Sequence, residues 1–140
     1  MQKEFRENKG SSLYHHRVDA LFSFLDENNI IEKLEEGYLF YPRNLWVEKK
    51  GMELFFFVND SIKICKIDAM YNVQIRTVST KALSKLELTV TTKSRNAELI
   101  IRVLNEEPIR FMNFHDTNDA WRSKFYDLIL EIHAQLSEKM

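Results

Sequence analysis

His15, His16 and Asp19 form the one local group of side chains that could hold a metal ion. His15 and Asp19 are four apart, so a helix would set them on one face, as helical metal ligands require. Two ligands do not complete a site and no third stands nearby, so a solvated helix face is the simpler account. His115-Asp116 falls where a strand gives way to a helix, and an aspartate there serves better as a helix cap. His133, near the end of the last helix, suits the helix dipole. Cys65 is the single cysteine, which excludes an intrachain disulfide and a cysteine-based zinc cluster, and its apolar surroundings make it a small buried hydrophobe. No serine, threonine or cysteine stands in a nucleophile motif such as G-x-S-x-G, and no P-loop or G-x-G-x-x-G occurs. Three glycines, none clustered, give little from which to build a phosphate-cradling loop. Glu35-Glu36 and Glu106-Glu107 adjoin turns or junctions and read as solvated charge. The expectation is a protein that is not an enzyme and uses no cofactor or metal.

Two features remain that could bind a partner. One is a basic set, Arg76, Lys81, Lys85, Lys93, Arg95 and Arg102, drawn from strands four to six and their loops. Residues 63 to 102 carry eight Lys/Arg against three Asp/Glu, about +5, whereas residues 1 to 41 and 103 to 140 are each about −3. Such a middle block could steer an anionic partner, although acidic helices packed beside basic strands produce the same asymmetry by compensation. Aromatic residues that would stack on bases are missing from residues 72 to 110, which argues against nucleic acid. The other feature is the aromatic stretch Tyr38, Phe40, Tyr41, Trp46, Phe55, Phe56 and Phe57. A half-buried strand needs one apolar face. Phe55 to Val58 offers two, so one face must be covered by the N-terminal helix, a second subunit or a ligand, and Phe55 and Phe57 become candidate partner contacts.

The elements that position these groups follow from periodicity. Val18, Leu21, Phe22 and Leu25 fall at helical spacing, which predicts an N-terminal helix within residues 11 to 28, stopped by Asn28 and Asn29. From Tyr38 the period changes to two. Strands are expected at Leu45 to Lys49, at Met52 to Val58, around Ile62 to Cys65, around Val73 to Val78, at Leu86 to Thr92, at Leu99 to Val103 and at Ile109 to Phe114. Trp121, Phe125, Leu128, Ile129, Ile132 and Leu136 share one stripe of a closing helix that starts near Asn118.

Seven antiparallel strands followed by one amphipathic helix opening with Trp121 resemble the pleckstrin-homology-like (PH-like) superfamily over residues 42 to 137. The resemblance implies an α+β fold, a bent antiparallel β-barrel whose open end is plugged by the C-terminal helix, with Phe125, Leu128 and Ile132 pointing inward. The N-terminal helix is an addition to that plan. Phosphoinositide-binding members carry spaced Lys/Arg between the first two strands, but here Lys49, Lys50 and Gly51 run into Met52, Glu53 and three phenylalanines. The resemblance therefore carries the fold and not the headgroup chemistry. The whole chain is also similar to small uncharacterised bacterial proteins, which implies no known activity.

At 140 residues and 44% hydrophobic composition the chain is long enough for one well-filled core, so residues 1 to 140 are expected to form a single domain. The charged start lacks a signal-peptide h-region, and the longest apolar run, Leu54 to Val58, is far too short to span a bilayer, so a cytoplasmic location is expected. The expected function is a non-catalytic interaction module that binds a protein or peptide. The alternative is peripheral membrane or anionic-lipid binding through the basic surface. A second copy of the chain is a further candidate partner.

Overall fold

The computed structural model describes residues 13–31, 38–45, 47 and 51–140, with side chains in the first helix described from His16 onward. Helix α1 spans Leu13–Glu27. Seven strands follow: β1 (Leu39–Arg43), β2 (Glu53–Val58), β3 (Ser61–Ile67), β4 (Val73–Ser79), β5 (Leu83–Thr91), β6 (Asn96–Val103) and β7 (Ile109–Met112). Helix α2 spans Arg122–Ser137. The α+β class holds, and the strands form two antiparallel sheets, ordered β1-β2-β3-β4 and β5-β6-β7. The hydrogen-bonded order stops at β4 and restarts at β5, so among the described residues the strands form two sheets and no closed barrel, where one bent barrel was expected. A single 3-10 turn, Thr80–Ala82, separates the two, with the Ser79 hydroxyl accepting from the Lys81 amide at 3.2 Å. The chain divides into two compact units, one taking the described residues of Met1–Pro42 and Gly51–Thr77, the other those of Arg43–Lys50 and Val78–Met140.

In the first unit, α1 ends where expected. The Asn28 amide and side chain both donate to the Phe24 carbonyl, and Asn29 takes a left-handed φ of 50° that no helix continues through. Its stripe of Val18, Leu21, Phe22 and Leu25 is buried. That stripe packs on the sheet: the Phe22 ring lies 6.3 Å from Phe40 and 6.2 Å from Phe56, and Phe40 lies 4.9 Å from Phe56. Side chains alternate across a strand, so Leu54, Phe56 and Val58 share one face of β2 while Phe55 and Phe57 share the other. The register Phe55↔Ile64 and Phe57↔Ile62 extends that second face onto β3. The chain's own helix therefore covers the Phe56 face. Both faces of β2 are buried, and Phe55 and Phe57 are only 1% and 3% exposed. As partner contacts they are corrected: they are core, with no surface on which a partner could rest.

The first strand is also corrected. The first strand of the described residues lies at Leu39–Arg43; of the expected Leu45 to Lys49, Leu45 is buried in a turn and Val47 is outside any strand, while Trp46 and residues 48–50 lie outside the described residues. Pro42 misdirects the eye, since proline argues against a central strand, but β1 is the edge of its sheet, where a missing N–H costs little.

In the second unit, β6 is the central strand, and Ala97, Leu99, Ile101 and Val103 on its inner face are buried with Ile109 and Phe111 of β7. Helix α2 packs chiefly over β6 and lays Phe125, Leu128, Ile129, Ile132 and Leu136 into this core. Two boundaries differ from expectation. β7 stops at Met112, because the Asp116 carboxylate accepts the Met112 amide at 2.8 Å and bends the chain away, leaving Phe114 exposed. Helix α2 starts at Arg122 and not near Asn118. Asn118 takes the Trp121 amide through both its carbonyl and its side chain at 3.2 Å, a turn that precedes the first helical bond. Trp121 is half-buried, with the Lys124 ammonium 4.9 Å above its ring, so it is not the plug of a core.

Candidate functional site

The strand-to-helix junction is built by two buried polar side chains. Asn113 is fully buried, and its oxygen accepts the Ala97 amide at 2.8 Å while its nitrogen donates to the Arg95 and Arg122 carbonyls at 3.0 and 3.1 Å. One side chain thus ties the start of β6, the turn before it and the start of α2. Arg122 adds a hydrogen bond to the Asn96 side-chain oxygen. Arg95, at a left-handed φ of 51°, reaches α2 as well: its guanidinium pairs with Asp127 at 3.1 Å and lies 4.6 Å from the Tyr126 ring centre. These bonds hold α2 against the β5–β6 turn.

Away from that turn the helix covers β6 better than β5. The register sets Leu86, Leu88 and Val90 of β5 against Ile101, Leu99 and Ala97 of β6. The three β6 residues are buried, whereas the three β5 residues are only half-buried. No residue of β5 is fully buried. Among the described residues β6 is the only strand bonded to β5, so the outer side of β5 is a sheet edge. An edge presents a row of backbone donors and acceptors, and its neighbours here are the three apolar side chains and the flank of α2. The start of this edge is blunted by a bulge between Leu83 and Lys85 and by the charge of Lys85. From Leu86 to Thr91 the register is regular, a length of about 20 Å. The other edges are less suited: β1 contains Pro42, β7 has four residues and follows Pro108, and β4 carries exposed Gln74, Arg76 and Thr77.

Within the second unit the members of the basic set stand at different places on the sheet and its turns. Arg76 belongs to the first unit and Lys81 to the 3-10 turn. Lys85 and Arg102 are register partners at the base of the β5–β6 hairpin, and both bond Glu87, at 2.9 and 3.4 Å. These contacts, the one from Lys85 first, hold the Glu87 carboxyl below its ordinary range. Lys93 and Arg95 lie at the opposite end of the hairpin, beyond about 20 Å of paired strand. Arg110 and Glu98 add a further pair at 3.8 Å on the same outer face. Compensation, more than a cationic surface, describes this sheet.

The remaining candidates are quickly placed. Cys65 is buried beside the α1 face, and burial pushes its thiol up to about 12 against a small opposing effect of Lys63. His16 is exposed on α1 near a half-buried Asp19, while the His15 side chain lies outside the described residues. Among the described residues no three His, Cys, Asp or Glu side chains converge as a metal site would need. His115 packs on Phe114 at 4.9 Å; its neighbour Asp116, expected as a helix cap, instead accepts the Met112 amide at the end of β7, and α2 has Trp121 as its N-cap with no side-chain cap bond. Among the described residues no helix is long and apolar enough to cross a membrane. Sequence reading missed Asn113, the fixed point of the junction, because asparagine after a strand is an ordinary turn signal. It also missed the β5 edge, whose alternation was visible but whose place in the sheet was not.

No curated protein and no solved structure matches the chain. A family profile matches residues 1–127, which take in α1, both sheets, the Asn113 junction and the opening turns of α2. The chain therefore belongs to the DUF3908 family, described as a protein of unknown function.

Proposed function

We propose that this protein is a non-catalytic interaction module that binds an extended protein segment or peptide by adding it as a strand to β5. The observation that carries this reading is the regular edge Leu86–Thr91, with Leu86, Leu88 and Val90 half-exposed beside α2. Strand addition draws affinity from backbone hydrogen bonds and specificity from contacts with alternate side chains, and this edge sets its backbone groups beside half-buried Leu86, Leu88 and Val90. A peptide with apolar residues at every second position would complete the cover that α2 leaves unfinished. The PH-like plan is part of the same proposal: the division into four strands and three, followed by a C-terminal helix, supports it. A cytoplasmic location and a bacterial source remain expectations of the same standing.

The lipid alternative has less support, because Lys85, Arg102 and Arg95 are each engaged by an acidic side chain. Liposome sedimentation at low salt tests it: no binding to anionic vesicles ends it, and salt-sensitive binding lost on charge reversal at Lys93 and Arg95 restores it. The favoured reading is tested by selecting binders from a random peptide library and measuring their affinity for wild type and for Leu88→Asp. Alternating apolar sequences that lose at least tenfold in affinity on Leu88→Asp, with the variant still folded by its melt, are the expected result. Binders indifferent to Leu88 would refute it.

A further inference from the structure

The turn between β3 and β4 presents two large apolar side chains on a rigid base. Met70 is 81% exposed and Tyr71 54%. The base is Asp68, whose carboxylate accepts the Met70 amide and the Asn72 amide at 2.9 Å each and the Asn72 side chain at 3.1 Å. Backbone bonds from Asp68 to the Asn72 carbonyl and from Tyr71 to the Asp68 carbonyl close the loop. Tyr71 itself sits at a left-handed φ of 62°. Aromatic residues take that conformation at a steric cost, where asparagine adopts it readily. Of the other described non-glycine residues at positive φ, four are asparagines and one is Arg95. Arg95 is accounted for by its contacts with Asp127 and Tyr126. The Tyr71 side chain is 54% exposed and makes no such contact among the described residues. The backbone of this tip is thus ordered before any contact is made, so only the side chains remain to be fixed on binding.

The same unit contains a recess of about 30 Å³ lined by Val18 and Leu21 of α1 and by Met52, Leu54 and Ile67, with Arg17 at its rim and Gly51 beside it. That space holds about two water-sized groups, which is the size of the thioether end of a methionine. Ile67 lies only three residues from Met70, so recess and tip are neighbours. The charges are also complementary. Arg17 is a cation at the recess, and the tip is rooted on the Asp68 carboxylate, which already senses Arg17.

From this pairing we infer that the chain associates with a second copy of itself about a two-fold axis, each Met70 seating its thioether end in the other's recess. A two-fold contact is self-complementary: residue i meets j while j meets i, and a tip adjacent to its recess satisfies this without distortion. In that arrangement each Arg17 faces the partner's Tyr71 ring and Asp68, adding cation–π and ionic attraction. The contact is independent of the β5 edge.

Sedimentation velocity of the full chain over a wide concentration range tests it. The wild type forms a dimer as concentration rises, and Met70→Glu, at an exposed position, sediments as a monomer with an unchanged melt. Gly51 meets nothing within 4 Å of an added Cβ, so Gly51→Cys fits the fold. Mixed with Met70→Cys chains and oxidised, it gives a disulfide between unlike chains in excess over like ones. A wild type that stays monomeric at every concentration overturns the inference, as does a dimer unaffected by Met70→Glu or one that yields no unlike-chain disulfide. A monomer that binds phosphatidylserine vesicles through Met70 overturns it equally, by assigning the tip to a lipid surface.

Discussion

Asn113 bonds three backbone groups while itself fully buried, the Ala97 amide in the interior and the Arg95 and Arg122 carbonyls nearer the surface. Asn113→Ala is expected to destabilise the second unit by roughly 2 to 4 kcal/mol in denaturant melts, since the orphaned Ala97 amide costs about 1 to 3 kcal/mol and each lost carbonyl bond about 0.5 to 1.5 kcal/mol at most. Thr117 presents the opposite case. Its hydroxyl, at a residue only 9% exposed, is buried with no hydrogen-bond partner among the described residues. Thr117→Val should therefore stabilise the fold by about 1 kcal/mol, and a loss of that size would instead reveal a bound water on the hydroxyl. Cys65 was read correctly as a small hydrophobe. Its thiol, raised from 9.0 to about 12 by burial, carries about a thousandfold less thiolate at neutral pH. A thiol reagent should label it on unfolding and scarcely in the native protein. Asp68 supplies a pH test. Its carboxyl is lowered from 3.8, first by the Asn72 amide, so its turn bonds are complete above pH 3.8 and lost as pH falls through the lower folded value. Amide shifts of Met70 and Asn72 should titrate below that point.

Elements were legible where one period ruled a long segment. The α1 stripe and the stripe from Phe125 to Leu136 were read from spacing alone and are buried. Six of the seven strands overlap their expected positions, because turn residues such as Asn59-Asp60 bound them in sequence. The misplaced strand, β1, holds Pro42, whose meaning depends on the strand being an edge, a property of the sheet and not of the segment. Trp121 misled for a related reason. Its spacing fits the buried stripe, yet it precedes the first helical residue, and the helical phase does not govern it there. Phe125→Ala should cost about 3 to 5 kcal/mol, and Trp121→Ala less than half as much; equal costs in chemical denaturation would return the tryptophan to the core.

At the scale of the whole molecule, composition spoke for a filled core, and the three consecutive phenylalanines of β2 mark where filling exceeds one face. The answer lies inside the chain for Phe56, which α1 covers. The analogous shortfall on β5 has no internal remedy among the described residues, since α2 favours β6. Sequence alternation revealed which β5 residues face inward. It could not reveal that β5 ends its sheet, because strand order is fixed by pairing between distant segments. The basic block was equally legible as charge and illegible as surface, since register, not composition, sets Lys85 and Arg102 around Glu87. The proposed function thus rests on an edge that only the assembled sheet displays. It is tested most directly by nuclear magnetic resonance of the chain with a library-selected peptide. Intermolecular backbone contacts confined to Leu86–Thr91, with their amides newly protected from exchange, are the expected result; a peptide bound as a helix, or one that leaves those amides unchanged, would contradict it.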